Sequence, residues 1–307
     1  MMTTALWLVL YGAFLAYSAP SVLRRMTRGG ISPRMGVAAW LATIVATLAA
    51  WVAALVLVLI ATTESIRDHS AVTLCLELFG FSDHTALPGR TGSIALIITG
   101  LLISCVVTVR VGRSFARLRA RSHEHAHAAR IIGRPTEHAD VVVVEAGRPA
   151  AYCVVGRPNA IVVTSAAIDS LDCVQLKAIL AHEDAHISGR HHYILMVLRA
   201  LAVTLPYLPI FARAHGAVAE LLEMCADDAA ARRVGSRPLL TGLLALASHP
   251  PPVTQGLAAV GGAVAIRAVR LATPSRRHTQ WSHRLSLSAA MAVMLAAPAF
   301  IEVLCHH

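Results

Sequence analysis

The chain has 307 residues, 56% of them hydrophobic and 14% charged, with a mean hydropathy of +0.62. These figures are far from a soluble average and point to an integral membrane protein. The formal net charge of +10 would suit nucleic acid, but the arginines cluster beside apolar runs and no basic module interleaved with aromatics occurs, so direct nucleic-acid binding is not expected.

Four runs are long enough to span a bilayer, which needs about 20 apolar residues. Ala5 to Leu23 is the first; it lacks a positive leading segment and a cleavage site, so it reads as an anchor rather than a signal peptide. Gly36 to Ala61 is the second, Gly92 to Val109 the third and Leu285 to Leu304 the fourth. Arg24, Arg25, Arg28 and Arg34 follow the first run; Arg110, Arg113, Arg117, Arg119 and Arg121 follow the third; Arg276, Arg277 and Arg284 precede the fourth. The loop after the second run carries Glu64, Asp68, Glu77 and Asp83 against Arg67 and Arg90. The positive-inside rule then places both termini outside and everything between the third and fourth runs inside. The expected division is a membrane region over 1–109, a cytosolic domain over 110–284, and a fourth span with a short outer tail over 285–307.

Within the cytosolic portion, His123, Glu124 and His127 spell H-E-x-x-H, in a run that also holds Arg117, Arg119, Arg121 and Arg130. No apolar face would bury that copy, and a solvated basic helix is the preferred reading. Val141 to Glu145, Ala151 to Val155 and Ala160 to Thr164 read as short strands separated by AGRP and GRPN turns.

Asp172 to Gln175 reads as a helix N-cap with its capping-box partner, and Gly189 as a C-terminal stop. Between them lies a second H-E-x-x-H: His182, Glu183 and His186. On a helix, positions i and i+4 share a face, so His182 and His186 can offer two imidazole nitrogens to one metal ion. Glu183 borders that face and is the candidate general base for water activated there. Leu176, Ile179 and Leu180 supply the core side of the helix. Downstream, Glu223 and Asp227 lie four residues apart in ELLEMCADDAA. Glu223 completes a His2Glu ligand set with one position open, and Asp227 is the candidate hydrogen-bond partner of a ligand imidazole, a second-shell role. His191 and His192, beyond Gly189, read as polar surface.

Tyr193 to Phe211 is apolar enough to cross. One crossing would put Glu223 across the membrane from His182 and His186, and Arg199, Pro206 and Pro209 also disfavour a plain span. It reads as a helical excursion that returns to the same side. Val253 to Thr273, interrupted by Arg267 and Arg270, reads as loop and helix on the inner surface. The six cysteines form no C-x-x-C pair; Cys75 and Cys305 are both expected outside, either paired or free.

HEDAH followed by EMCADDAA, with the strand-then-helix run AIVVTSAAIDSLDCVQLKAILAHEDAH, resembles the membrane-embedded gluzincin peptidases over roughly Val141 to Arg233. Their BlaR/MecR antirepressor branch has the expected topology of three spans, an inner zinc domain and a further span; the HtpX-like quality-control proteases are the related branch. Asp184 departs from the pattern, being charged where a neutral residue is usual. The resemblance implies an α+β, mainly helical membrane protein: four transmembrane helices and a cytosolic zincin (gluzincin) domain containing a small sheet. It implies Zn2+ at His182, His186 and Glu223, and a multi-pass place in the bacterial plasma membrane. The implied activity is a zinc metalloendopeptidase cutting a peptide or protein substrate, with a cytoplasmic transcriptional repressor as the expected substrate class. Since three residues follow Leu304, an outer β-lactam sensor domain is not expected. The alternatives are quality-control proteolysis and a non-enzymatic sensor or scaffold that keeps a structural zinc. Glu183 separates the last of these, because a structural site has no use for a carboxylate beside an open position.

Overall fold

The computed structural model describes residues 2–67, 89–137, 140–248, 257–273 and 276–305. Helices α1 (Met2–Thr27) and α2 (Pro33–Arg67) form an antiparallel hairpin. Ala5 and Leu8, early in α1, pack on Ala50 and Ala54, late in α2. Buried Thr43 and Thr47 return their hydroxyls to the carbonyls of Ala39 and Thr43, each at 2.8 Å, so neither hydroxyl is orphaned in this apolar helix. The hairpin turns at Gly30, whose φ of +56° favours glycine. A Cβ there would also lie 2.1 Å from the Met224 sulfur.

Helix α3 (Gly89–Ile132) is one continuous helix of 44 residues. It joins the third apolar run to the basic stretch that follows it, so the expected boundary between 109 and 110 falls inside one element. Nothing in that sequence breaks a helix: the change is in hydropathy, not in backbone preference. Further along, the Ser122 hydroxyl donates to the Val155 carbonyl at 2.7 Å and docks α3 onto the sheet.

The sheet comprises β1 (Arg134–Pro135), β2 (Val141–Val144), β3 (Ala151–Val154) and β4 (Ala160–Thr164), in the order β1-β2-β4-β3. β2 and β4 run parallel; β3 returns antiparallel to β4, with Tyr152 opposite Val162. All five residues of β4 are buried, as a strand covered on both faces should be. The three strands expected from sequence are present, the first two each one residue shorter; the two-residue β1 was not foreseen. β3 is an edge strand.

α4 (Ser165–Ser170) leads into α5 (Cys173–Ser188), the helix that carries His182. Its start follows the sequence: Asp172 accepts from the N–H groups of Val174 and Gln175, and Gln175 Oε1 accepts from Asp172 N–H at 3.0 Å. α5 lies between two cores. Leu176, Leu180 and Ile187 meet Ile161 and Val163 of the sheet. Ala178 and Ile179 meet Ala230, Leu239 and Leu271 from α7 (Pro209–Val234), α8 (Ser236–Ala247) and α9 (Leu257–Ala272).

The run Tyr193 to Phe211 becomes α6 (His191–Thr204), a short turn and the start of α7. At 14 residues α6 falls short of the ~20 that a crossing requires. Leu198, Leu201, Ile210 and Phe211 share one core with Trp40 and Ile44 of α2 and Leu287 of α10 (Arg277–Cys305). The helix bearing Glu223 is thus anchored directly in the α1–α2 hairpin. α10 is tied to the same hairpin: the Tyr11 hydroxyl donates to the Met294 carbonyl, and His283 Nε2 lies 2.8 Å from the Met26 carbonyl.

Among the described residues, three helical stretches are long and apolar enough to cross a membrane: Thr3–Thr27, Pro33–Glu64 and Ile97–Ile132. They suggest a membrane protein. α10, which covers the fourth expected span, is not among the three. Cys75, one half of the optional pair with Cys305, lies outside the described residues, as does most of the acidic loop 62–91.

Candidate metal centre

His182 and His186 sit one turn apart on α5, their Nε2 atoms 3.2 Å from each other. Glu223, in the middle of α7, brings Oε2 to 3.5 Å from His182 Nε2 and Oε1 to 3.5 Å from His186 Nε2. One donor atom from each of the three lies within 4.8 Å of the others. Two imidazole lone pairs and a carboxylate converging at this spacing suit a borderline metal cation, with Zn2+ the ordinary choice for such donors. The His182 side chain is only 5% exposed while Glu223 keeps 41%, so the cluster opens on the Glu223 side. Among the described residues no other group of three or more such side chains gathers. His123, Glu124 and His127 on α3 do not acquire a further donor; His123 Nε2 instead accepts from Arg119 Nε at 3.5 Å.

Both imidazoles have a polar neighbour behind them. Asp227 Oδ1 lies 3.1 Å from His182 Nδ1, and this carboxylate is wholly buried. His191 Nδ1 lies 3.0 Å from His186 Nδ1. His191 is therefore not the polar surface residue that sequence suggested: it is 9% exposed. The path to that position is local. α5 ends at Ser188, as expected, but Gly189 keeps ordinary right-handed geometry and Arg190 takes the left-handed one, with φ 52°. Gly189 is needed for space: a Cβ there would sit 2.4 Å from His191 Nε2.

A second unforeseen residue is Arg267 of α9. Its Nε and Nη2 donate to the two oxygens of Asp227 at 2.8 and 2.7 Å, and its Nη1 lies 3.0 Å from Glu223 Oε2. A buried arginine must be paired; an arginine inside the small-residue run of α9 was the available signal. Asp184, the departure noted above, points away from the cluster and pairs with Arg233 of α7.

Glu183 turns its Oε2 toward the sheet. Its Oε2 accepts the Cys153 N–H at 2.9 Å. The Ala150 carbonyl accepts from Thr164 N–H; alternation therefore turns the backbone groups of Ala151 and Cys153 to the free edge of β3. The candidate base is thus held at an unpaired strand edge.

The charges follow from this packing. Burial opposes the imidazolium of His182, yet Asp227 and Glu223 outweigh it and raise its pKa to about 9. Burial lowers His186 to about 4. Burial pushes Glu183 up from the usual carboxylate range, and Glu223 adds to that. For Asp227, burial works upward but Arg267 and His182 prevail, holding it at about 2. Burial and the Glu183 carboxylate push the Cys153 thiol up to about 12.

No curated protein and no solved structure matches the chain. The profile of peptidase family M48, whose members are metal-dependent, matches residues 113–253, a segment holding α5, the β3 edge, Glu223 and Asp227. The match covers a little under half of the chain, and with the His-His-Glu cluster inside it this supports a metallopeptidase of the zincin type.

Proposed function

We propose that the chain is a zinc metalloendopeptidase that hydrolyses peptide bonds on the cytoplasmic side of a bacterial plasma membrane, cleaving a transcriptional repressor in the antirepressor manner. The observation that carries the reading is the placement of Glu183: a buried carboxylate beside three converging donors and against a free strand edge. His182, His186 and Glu223 would hold the zinc, which when bound polarises a scissile carbonyl and lowers the pKa of water. A peptide extends β3 by one strand, taking up the backbone groups of Ala151 and Cys153. Cys153 N–H then passes from Glu183 to the substrate, and the carboxylate is released toward the cluster. Glu183 accepts the proton of the attacking water and delivers it to the leaving amine. Its raised pKa suits both halves of that task. Asp227 and His191 keep the ligand imidazoles oriented, and Arg267 keeps Asp227 ionised.

The test compares cells carrying the wild-type protein with cells carrying Glu183→Gln. The variant should retain zinc and fold, because it spares the ligands, and should lose cleavage. Proteomics should then show a repressor that is cut only by the wild type. Cleavage at the wild-type rate by Glu183→Gln would remove the carboxylate from the mechanism. Loss confined to damaged membrane proteins, with every repressor intact, would replace regulation by quality control.

A further inference from the structure

A cavity of about 530 Å³ lies where the α1–α2 turn, the end of α7, α9 and the start of α10 meet. Arg34, Arg232, Arg270 and Arg284 line it, with Asp228 as its single carboxylate: four positive charges against one negative, a net of +3. Arg270 already holds Asp228 through Nη2, at 2.7 and 2.8 Å, and donates from Nε to the Gly30 carbonyl at 2.9 Å. Arg34, Arg232 and Arg284 have no carboxylate partner among the described residues. All three are exposed, and like charges lining one cavity favour an oxyanion there.

Two further features lie at the same cavity. α2 begins there at Pro33, so the first N–H groups of a 35-residue helix, including those of Arg34 and Met35, lack intrahelical acceptors. Ser32, which lines the cavity, is 6% exposed, and its hydroxyl has no hydrogen-bond partner among the described residues. A buried donor of this kind is costly unless something accepts from it. The cavity also sits at the arginine-rich ends of α1, α2 and α10, where a membrane surface would present anionic headgroups.

We propose that this cavity binds a phosphate group, supplied by the headgroup of an anionic phospholipid. The phosphate oxygens accept from Arg34, Arg232, Arg284, the Ser32 hydroxyl and the first turn of α2. Since the ligand bridges α2, α7 and α10, and binds only the folded chain, occupancy stabilises the fold. The proposal does not depend on the peptidase reading, and its test reads no peptidase activity.

The full-length protein is placed in nanodiscs of phosphatidylcholine alone or with phosphatidylglycerol, and in neutral detergent with or without inorganic phosphate. Retained lipid is counted by native mass spectrometry after transfer to detergent, and thermal stability is followed in each condition. Phosphatidylglycerol should be retained selectively and should raise Tm. The double variant Arg34→Gln/Arg284→Gln should retain it about tenfold less well. Arg24→Gln/Arg25→Gln, which removes exposed charges from the same end of the bundle, should retain it normally. Ser32→Ala removes only an unpartnered hydroxyl; it should weaken retention in the same direction and carries the test if the double variant does not fold. Stabilisation by inorganic phosphate equal to that by lipid would support the cavity and move its source to a soluble phosphate. Equal retention by wild type, Ser32→Ala and the double variant, or equal loss in Arg24→Gln/Arg25→Gln, would overturn the proposal. So would an anionic peptide that stabilises the protein where neither lipid nor phosphate does.

Discussion

Arg267 and Asp227 meet as a two-pronged ion pair, 2.7 and 2.8 Å, with Asp227 fully buried behind the His182 imidazole. The pair joins α9 to α7 and aims Asp227 at the ring it orients. Removing Arg267 strips a buried carboxylate of its two-pronged partner and leaves only His182 beside it, which costs up to about 3–5 kcal/mol. Arg267→Ala should therefore lower Tm and weaken metal binding together. Arg267→Lys keeps the charge but not the fork, so it should regain part of the stability and less of the metal affinity. Thermal unfolding and chelator competition on both variants check this; a full rescue by lysine would show that charge alone is at work.

The ligand set makes a sharper demand. Glu223→Ala should reduce bound zinc greatly in metal analysis of the purified protein, because only two donors remain. His123→Ala should keep it, since that imidazole on α3 is bonded to Arg119 and no third donor lies near it among the described residues. The reverse outcome would transfer the metal to the other H-E-x-x-H.

His191 is the partner of His186 that sequence did not reveal. Outer partners of ligand histidines are typically worth about 10–100-fold in metal affinity. His191→Ala should fall in that range. His191→Asn can still offer a hydrogen bond and should recover part of it. Unchanged affinity in both would make the 3.0 Å contact a matter of packing only.

α5 was legible because its signals are local. The Asp172–Gln175 capping box and the i, i+4 histidines act within one helix, and the structure reproduces the cap. Glu223 and Asp227 could be paired with α5 only because their spacing on α7 has a known chemical use. Arg267 could not be placed, since its contact with Asp227 spans 40 residues and follows from how α9 packs. His191 stayed hidden for a different reason: it lies five residues past His186, off the helix face, until left-handed Arg190 turns the chain back. The boundary at 109–110 was drawn on hydropathy, which does not report where a helix backbone ends; the basic run continues the same helix as the apolar one.

Metal uptake should depend on pH with a predictable sign. In the metal-free protein His182 titrates at about 9 and His186 at about 4. At neutral pH, His182 therefore carries a proton and His186 does not. Zinc must displace that one proton, so the apparent association constant should rise roughly tenfold per pH unit below about 9. Calorimetry in buffers of different ionisation enthalpy should find about one proton released per zinc near pH 7. Asp227→Asn removes a group that raises the His182 pKa, so its proton release should be smaller. A wild-type release near zero would mean that His182 is already neutral when metal arrives.

The last prediction concerns which side of the membrane holds the cluster. Arginines crowd the end of α1, the start of α2 and the start of α10, and the basic half of α3 carries more. The positive-inside rule assigns all of these to the cytoplasm. The cluster adds a separate constraint, because His182 and Glu223 are 3.5 Å apart and must share one side. α6, between them, is too short to carry the chain across. Cytoplasm-specific and exterior-specific reporters fused at positions 135, 216 and 278 should therefore all report the cytoplasm. Fusions near Asp83 and after His307 should report the exterior, the second of these requiring α10 to act as the fourth span. A cytoplasmic report after His307 would reduce the spans to three and leave the cluster in place. An exterior report at 216, with 135 inside, would contradict the 3.5 Å contact between α5 and α7, and the metallopeptidase reading would fall with it.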